Sequence, residues 1–213
     1  MPHQARSALV PVVLLIAAAF LPQELGAQAC TISQITDSTV GNSFGASLDG
    51  GSIAFVSTAD LDPSVGNADG NNEIFLFDGV SISQITDSTA GNSFEPSLDG
   101  GSIAFYSTAD LDPGVGNADG NDEIFLFDGV SISQITDSTA GDSLGPSLDG
   151  GSIAFVSTAD LDPGVGNADG NFEIFLFDCA SPSVLEIPTL DGWALCLLAL
   201  AMAGLGLRRL IGS

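Results

Sequence analysis

A stretch of about fifty residues occurs three times in succession, at residues 33–82, 83–132 and 133–178. Its middle copy reads SQITDSTAGNSFEPSLDGGSIAFYSTADLDPGVGNADGNDEIFLFDGVSI. The first copy departs from it only at Val40, Gly45, Ala46, Val56, Ser64 and Asn72, and the third only at Asp142, Leu144, Gly145, Val156 and Phe172. A fixed period of this length marks a repeat architecture, in which no unit buries its apolar surface without a neighbour. Near-identity also restricts function. Every candidate site exists in triplicate, so a unique reaction centre would have to be built from the few variable positions.

Within a copy the sequence predicts four short strands. These are residues 81–86 (SISQIT), a brief extended piece at 96–98, residues 102–108 (SIAFYST) and residues 123–128 (EIFLFD). The Asp-Gly-Gly between the second and third is a hairpin signal. The runs IAFY and IFLF are apolar at successive positions, so both faces of each strand must be covered. Antiparallel sheets meet that condition by stacking face to face around an axis, as propeller blades do. An all-β propeller is therefore expected ahead of a β-sandwich, which would show alternation, with a β-solenoid third.

Residues 47–55, 97–105 and 147–155 each read SLDGGSIAF and are followed by EIFLFD. This resembles the WD40-like repeat of TolB-type β-propellers, which runs Ser-Pro-Asp-Gly, two residues, then Ile-Ala-Phe, and later a short strand ending in Asp. Leu48, Leu98 and Leu148 stand where that family has proline. The resemblance covers all three copies and implies blades of four antiparallel strands; it implies no particular function. Three blades are fewer than the four to eight of an ordinary propeller. Cys179 occupies the glycine position after the third EIFLFD, and Cys30 the valine position before TISQIT. The expectation is that the opening strand completes the last blade and that Cys30 and Cys179 form a disulfide there. Closure within one chain gives a three-bladed ring. Closure between two chains gives a homodimer with the six blades that the resemblance implies. Two unrelated cysteines are the alternative.

Charge removes some functions. The net charge is −24, and the only basic side chains are Arg6, Arg208 and Arg209. All of the 27 acidic residues except Glu24 and Asp191 fall between residues 30 and 186, a segment without Lys, Arg or His. Such a body cannot neutralise phosphates, so nucleic acid is excluded as a partner. Acyl-transfer chemistry also finds little support. His3 lies in the leader, and the body offers no Cys–His or Ser–His pair and no cation for an oxyanion.

One patch suggests cation chemistry. The loop before EIFLFD places Asp60, Asp62, Asn67, Asp69 and Glu73 around Gly70, and repeats them as Asp110, Asp112, Asn117, Asp119 and Glu123, then Asp160, Asp162, Asn167, Asp169 and Glu173. Oxygen donors at alternate positions around a turn glycine are what calcium requires, although the EF-hand spacing is not met. The competing reading is a solvated turn in which Asn, Asp and Gly satisfy one another locally.

The two ends carry targeting plans. His3 and Arg6 precede the apolar run 8–21, and Ala27-Gln28-Ala29 has the form of a signal-peptidase site, so residues 1–29 are expected to be a signal peptide. Cys30 directly after it leaves lipoprotein processing as an alternative. The body is then 30–179 and a linker 180–186. Residues 187–213 hold Ile187-Pro188-Thr189-Leu190, Trp193, an apolar run and the pair Arg208-Arg209. This segment resembles the IPTL-type C-terminal sorting signal of Gram-negative bacteria, with Asp191-Gly192 where the family has Ser-Glu. The resemblance implies export, a transient transmembrane helix with its basic pair inside, and transfer by a sorting enzyme; a plain membrane anchor is the alternative. Together these features predict an envelope or outer-surface protein. Its propeller would bind a protein or polysaccharide without catalysis, the alternative being a hydrolase or lyase acting on extracellular glycans or peptides.

Overall fold

The structure, a computed structural model, describes residues 30–178. The expected signal peptide, the linker, the sorting segment with its transmembrane helix, and Cys179 lie outside the described residues. Among those described, no helix is long and apolar enough to cross a membrane. Residues 1–34 and 35–213 separate into two compact units, and the described part of the first, residues 30–34, contains no strand.

The body is all-β. The first copy forms a sheet of β1 (Ser43–Asp49), β2 (Ser52–Ser57), β3 (Glu73–Phe77) and β4 (Ile82–Gln84), hydrogen-bonded in that order. The second forms β5 (Ser93–Asp99), β6 (Ser102–Ser107), β7 (Glu123–Phe127) and β8 (Ile132–Gln134) in the same antiparallel order. The third forms β9 (Ser143–Asp149), β10 (Ser152–Ser157) and β11 (Glu173–Asp178). Four strands per copy therefore hold for the first two sheets, and the third has three among the described residues. Residues 32–34, which match β4 and β8 in sequence, belong to no strand.

The brief extended piece expected at 96–98 is a seven-residue strand, β5. Its pairing with β6 slips between Phe94 and Ser97, and at this bulge Glu95 has φ of 49°. The slip lets Pro96 sit in the strand without breaking the ladder.

Both faces of the central strands are covered, as their sequence requires. One face of the first sheet presents Ala54, Val56 and Ile74, which pack with Leu98, Ile103, Phe105 and Phe125 of the second. The opposite face of the second sheet presents Ala104 and Ile124, packed with Leu148, Ile153 and Phe155 of the third. Successive side chains on a strand point to opposite faces, so each sheet has a forward face of small and branched residues and a rear face rich in phenylalanine. Within each sheet the rear rings pair across strands: Phe55–Phe75 at 5.8 Å, Phe105–Phe125 at 5.8 Å and Phe155–Phe175 at 5.7 Å. Each fully buried Ile or Phe contributes roughly 1.5–3 kcal/mol.

The strands that begin each sheet lie side by side, β1 on β5 and β5 on β9. They are tied at a fixed offset. Leu98 N–H donates to Ser47 Oγ at 3.0 Å and Gly100 N–H to Asp49 Oδ2 at 2.9 Å. One copy later, Leu148 N–H donates to Ser97 Oγ at 2.9 Å and Gly150 N–H to Asp99 Oδ2 at 2.8 Å. Face-to-face sheets with their first strands adjacent are a propeller-like arrangement.

Among the described residues each end of the stack exposes apolar positions that the seams bury, while Phe55 and Phe75 on the rear face of the first sheet stay covered. Ile74 and Ile124 are fully buried, whereas Ile174 is 76% exposed and Leu176 66% exposed. At the other end Leu48 is 70% exposed, against 6% and 7% for Leu98 and Leu148.

Candidate functional site

The acidic loops are held by their own residues. Asp62 accepts from Ser64 N–H at 3.0 Å, from Ser64 Oγ at 2.6 Å and, through its other oxygen, from Gln84 N–H at 3.0 Å. These bonds, led by the Ser64 hydroxyl, hold its carboxyl below the usual range. Asp112 accepts from Gly114 N–H at 3.0 Å and Gln134 N–H at 3.1 Å, and the Gln134 bond leads in lowering it. Asp162 accepts from Gly164 N–H at 2.9 Å. Each of these aspartates closes the turn two residues on, and the first two also pin the last strand of their sheet.

Asn67 and Asn117 are buried, and their amides donate inward. Asn67 Nδ2 reaches Ser57 O at 3.4 Å and Asn71 O at 3.0 Å; Asn117 Nδ2 reaches Ser107 O at 3.4 Å and Asn121 O at 2.9 Å. Asn167 keeps the bond to Asn171 O at 2.8 Å, and its N–H donates to Asp160 Oδ1 at 3.2 Å. Asp69, Asp119 and Asp169 each accept from the Asn two residues later, at 3.4 Å from the backbone in all three. Asp60, Asp110 and Asp160 are exposed at the start of the loop.

The glutamates behave differently. Glu73 and Glu123 are 1% exposed. Glu73 accepts from the Thr86 hydroxyl and from Ser88 N–H at 2.9 Å; Glu123 accepts from the Thr136 hydroxyl and from Ser138 N–H at 2.7 Å. Thr86 Oγ1 and Thr136 Oγ1 in turn accept from Ile74 N–H and Ile124 N–H, both at 2.8 Å. Burial pushes the Glu73 carboxyl up to about 7, opposed by the Thr86 and Ser88 bonds and reinforced by Asp69 and Asp87. Burial raises Glu123 in the same way. Glu173 is exposed.

The fifteen residues read as a cation set thus lie in three separate loops, where most of them take part in local hydrogen bonds and Asp60, Asp110 and Glu173 are exposed. Among the described residues no three Asp, Glu, His or Cys side chains are grouped closely enough to hold a metal ion together. For the aspartates the geometry is one of acceptors to nearby turn amides and hydroxyls. For Glu73 and Glu123 it is a buried acceptor for the opening segment of the next copy, a role the sequence reading did not anticipate. The unread sequence signal is the Thr and Ser two residues apart after ISQ, Thr86 with Ser88 and Thr136 with Ser138. Cys30 is exposed, and its expected partner Cys179 is not among the described residues.

The middle copy alone holds Glu95, Tyr106 and Asp122. Tyr106 packs between sheets, its ring 5.4 Å from Phe94. Burial raises its hydroxyl, with Glu95 and Asp122 adding repulsion. Asp122 is raised by burial and then by Asp142, whose carboxylate accepts from the Asp122 N–H at 3.2 Å. Glu95 takes a left-handed backbone where the other copies have Gly45 and Gly145.

An open groove of about 1030 Å³ runs along the outer edge of β11, lined by Ile174 and Leu176 of the forward face, by Phe155, Phe175 and Phe177 of the rear face, and by Ile135.

Residues 187–210 match the IPTL-CTERM motif, which spans Ile187, Pro188, Thr189, Leu190, Trp193, Arg208 and Arg209. This motif points to an exported protein with a C-terminal sorting signal. Among solved structures, the chain is similar to the β-propeller domain of the Trilobed protease from Pyrococcus furiosus, at 15% identity and a TM-score of 0.44, over 64% of this chain and 37% of that one. It is also similar to an acylaminoacyl peptidase of Pyrococcus horikoshii, at 15% identity and a TM-score of 0.42, over 69% of this chain and 21% of that one. The chain therefore spans well under half the length of either. No curated protein matches the sequence.

Proposed function

We propose that this is an envelope protein of a Gram-negative bacterium, exported, sorted through its C-terminal segment to the outer surface, and serving there as a non-catalytic binding or structural module. The observation that carries the reading is the joining of an IPTL-CTERM motif at residues 187–210 to a body whose acidic loops recur three times in nearly one geometry. The recurring carboxylates accept from turn amides and hydroxyls, as scaffold groups do, and they present one acidic surface repeatedly. A protein or a polysaccharide is the ligand class such a multivalent surface suits. Fractionation of cells making the full chain tests the localisation. Most of the protein should be at the surface, and deletion of 187–213 should release it; equal surface retention without that segment would sink the reading.

A second reading, an extracellular hydrolase or lyase, has one observation in its favour. Glu95 is an acid unique to the middle copy and sits in strained backbone, and such strain gathers at functional positions. The two readings separate by mutation. A binder loses affinity gradually as equivalent residues are changed in one, two and three copies. An enzyme loses its activity on Glu95→Gln alone.

A further inference from the structure

The two ends of the stack are the two halves of one interface already present twice inside the chain. We infer that the forward face of the third sheet receives the rear face of the first sheet of a second copy, head to tail, reproducing the seams between sheets one and two and between sheets two and three.

The argument is one of registered equivalence. At both internal seams the forward isoleucine, Ile74 or Ile124, is fully buried, and the rear leucine of the next sheet, Leu98 or Leu148, is nearly so. At the ends the same two positions, Ile174 and Leu48, are exposed. The polar ties fall in step. Ser47 and Asp49, and Ser97 and Asp99, accept the N–H groups of the following copy's hairpin. Ser147 and Asp149 are exposed, and Leu48 N–H and Gly50 N–H of a second copy are the groups that correspond to their missing donors. Glu73 and Glu123 each take a serine N–H from the segment that opens the next copy. Glu173 is exposed in the groove, and Ser38 keeps the local turn of Ser88 and Ser138. Its hydroxyl donates to Val40 O at 2.5 Å, as Ser88 does to Ala90 O at 2.6 Å and Ser138 to Ala140 O at 2.7 Å. Apolar area, hairpin ties and the carboxylate all name the same occupant.

Such an interface is heterologous, with different surfaces on its two sides, and it closes only if the copies return on themselves. Its opponent is charge. Each chain carries −24, so like-charge repulsion resists association and added salt should strengthen it.

The test uses two surface substitutions on opposite halves, Leu48→Asp and Ile174→Asp, in full-length protein in detergent. Both side chains are exposed, so unchanged melting curves establish that each variant folds. In sedimentation velocity at micromolar concentration, wild type should run as a dimer or larger, tightening with salt. Each variant alone should be monomeric, having lost one half of every seam. Mixed in equal amounts they should form a one-to-one dimer, because one intact rear face and one intact forward face remain. A monomeric wild type, variants that still self-associate, or a mixture that stays monomeric would each overturn the inference. Coverage of the groove by the chain's own C-terminal residues or by another protein gives a monomeric wild type, and a two-fold patch gives no rescue on mixing.

Discussion

Ser88 N–H donates to the Glu73 carboxylate at 2.9 Å, so a nearly solvent-free acid at the start of β3 is closed off by the turn that opens the following copy. The same bond joins Ser138 and Glu123 at 2.7 Å. No cationic side chain exists between residues 30 and 186 to neutralise either glutamate. Each is left with hydrogen bonds alone against the cost of burial.

That arrangement fixes a pH dependence. The folded Glu73 carboxyl sits near 7, above its ordinary value of 4.5, so folding favours its protonated form. The stability it contributes is full below about 4.5 and is lost as pH rises through 7. Melting temperature should fall by several degrees from pH 5 to pH 8. The double change Glu73→Gln and Glu123→Gln should flatten that slope. Thermal melts across this range check it, and an unchanged slope in the double variant counts against it. Asp62, Asp78, Asp112 and Asp128 are lowered from 3.8 and act oppositely, their contribution being lost only as pH falls below that value.

Three isoleucines at one sequence position give an internal comparison. Ile74→Ala and Ile124→Ala should each cost about 2–5 kcal/mol, the range for a buried large-to-small change. Ile174→Ala should cost about 0.5 kcal/mol or less in the monomer, as surface changes do. Urea unfolding of the three variants under one condition reads the difference directly.

Gly91 is required by space as well as by backbone. A Cβ there would lie 2.7 Å from Ala109 Cα, and its φ is +107°. Gly91→Ala should destabilise by on the order of 3 kcal/mol, combining overpacking with a disfavoured conformation. Gly100→Ala, with φ +56° and open space around it, should cost about 1–2 kcal/mol. Equal losses for the two would show that close approach to Ala109 contributes nothing.

Glu95 offers the converse. Its φ of 49° matches Gly45 at 64° and Gly145 at 61°. Glu95→Gly relieves about 1–2 kcal/mol of left-handed strain and forfeits about 0.5–1 kcal/mol to unfolded-state entropy. A net gain of up to about 1.5 kcal/mol in denaturant unfolding is expected.

Much of this architecture could be read from residues. The doubly apolar runs IAFY and IFLF required sheets covered on both sides, and the buried pairs Ala54 with Phe55 and Ile74 with Phe75 meet that requirement. Strand β5 was legible only in part: the expected piece covered 96–98, whereas the strand starts at Ser93 and passes through a bulge between Phe94 and Ser97, and a bulge depends on pairing that no local pattern reveals. The loop acids were legible as a group but not in their division of labour. Asp62 and Asp69 face solvent beside turn amides, while Glu73, only four residues beyond Asp69, is turned inward. Burial of that kind is decided by the neighbouring copy. The third sheet shows it, since an identical EIFLFD leaves Glu173, Ile174 and Leu176 exposed where no further copy follows among the described residues.

The ties from Ser47 to Leu98 and from Ser97 to Leu148 each span 51 residues and join the same two positions of adjacent copies. A gene encoding such a chain can gain or lose a whole unit by unequal recombination, and every junction so produced is one the protein already knows how to make. Length then becomes an inherited variable that changes without first passing through an unstable ancestor.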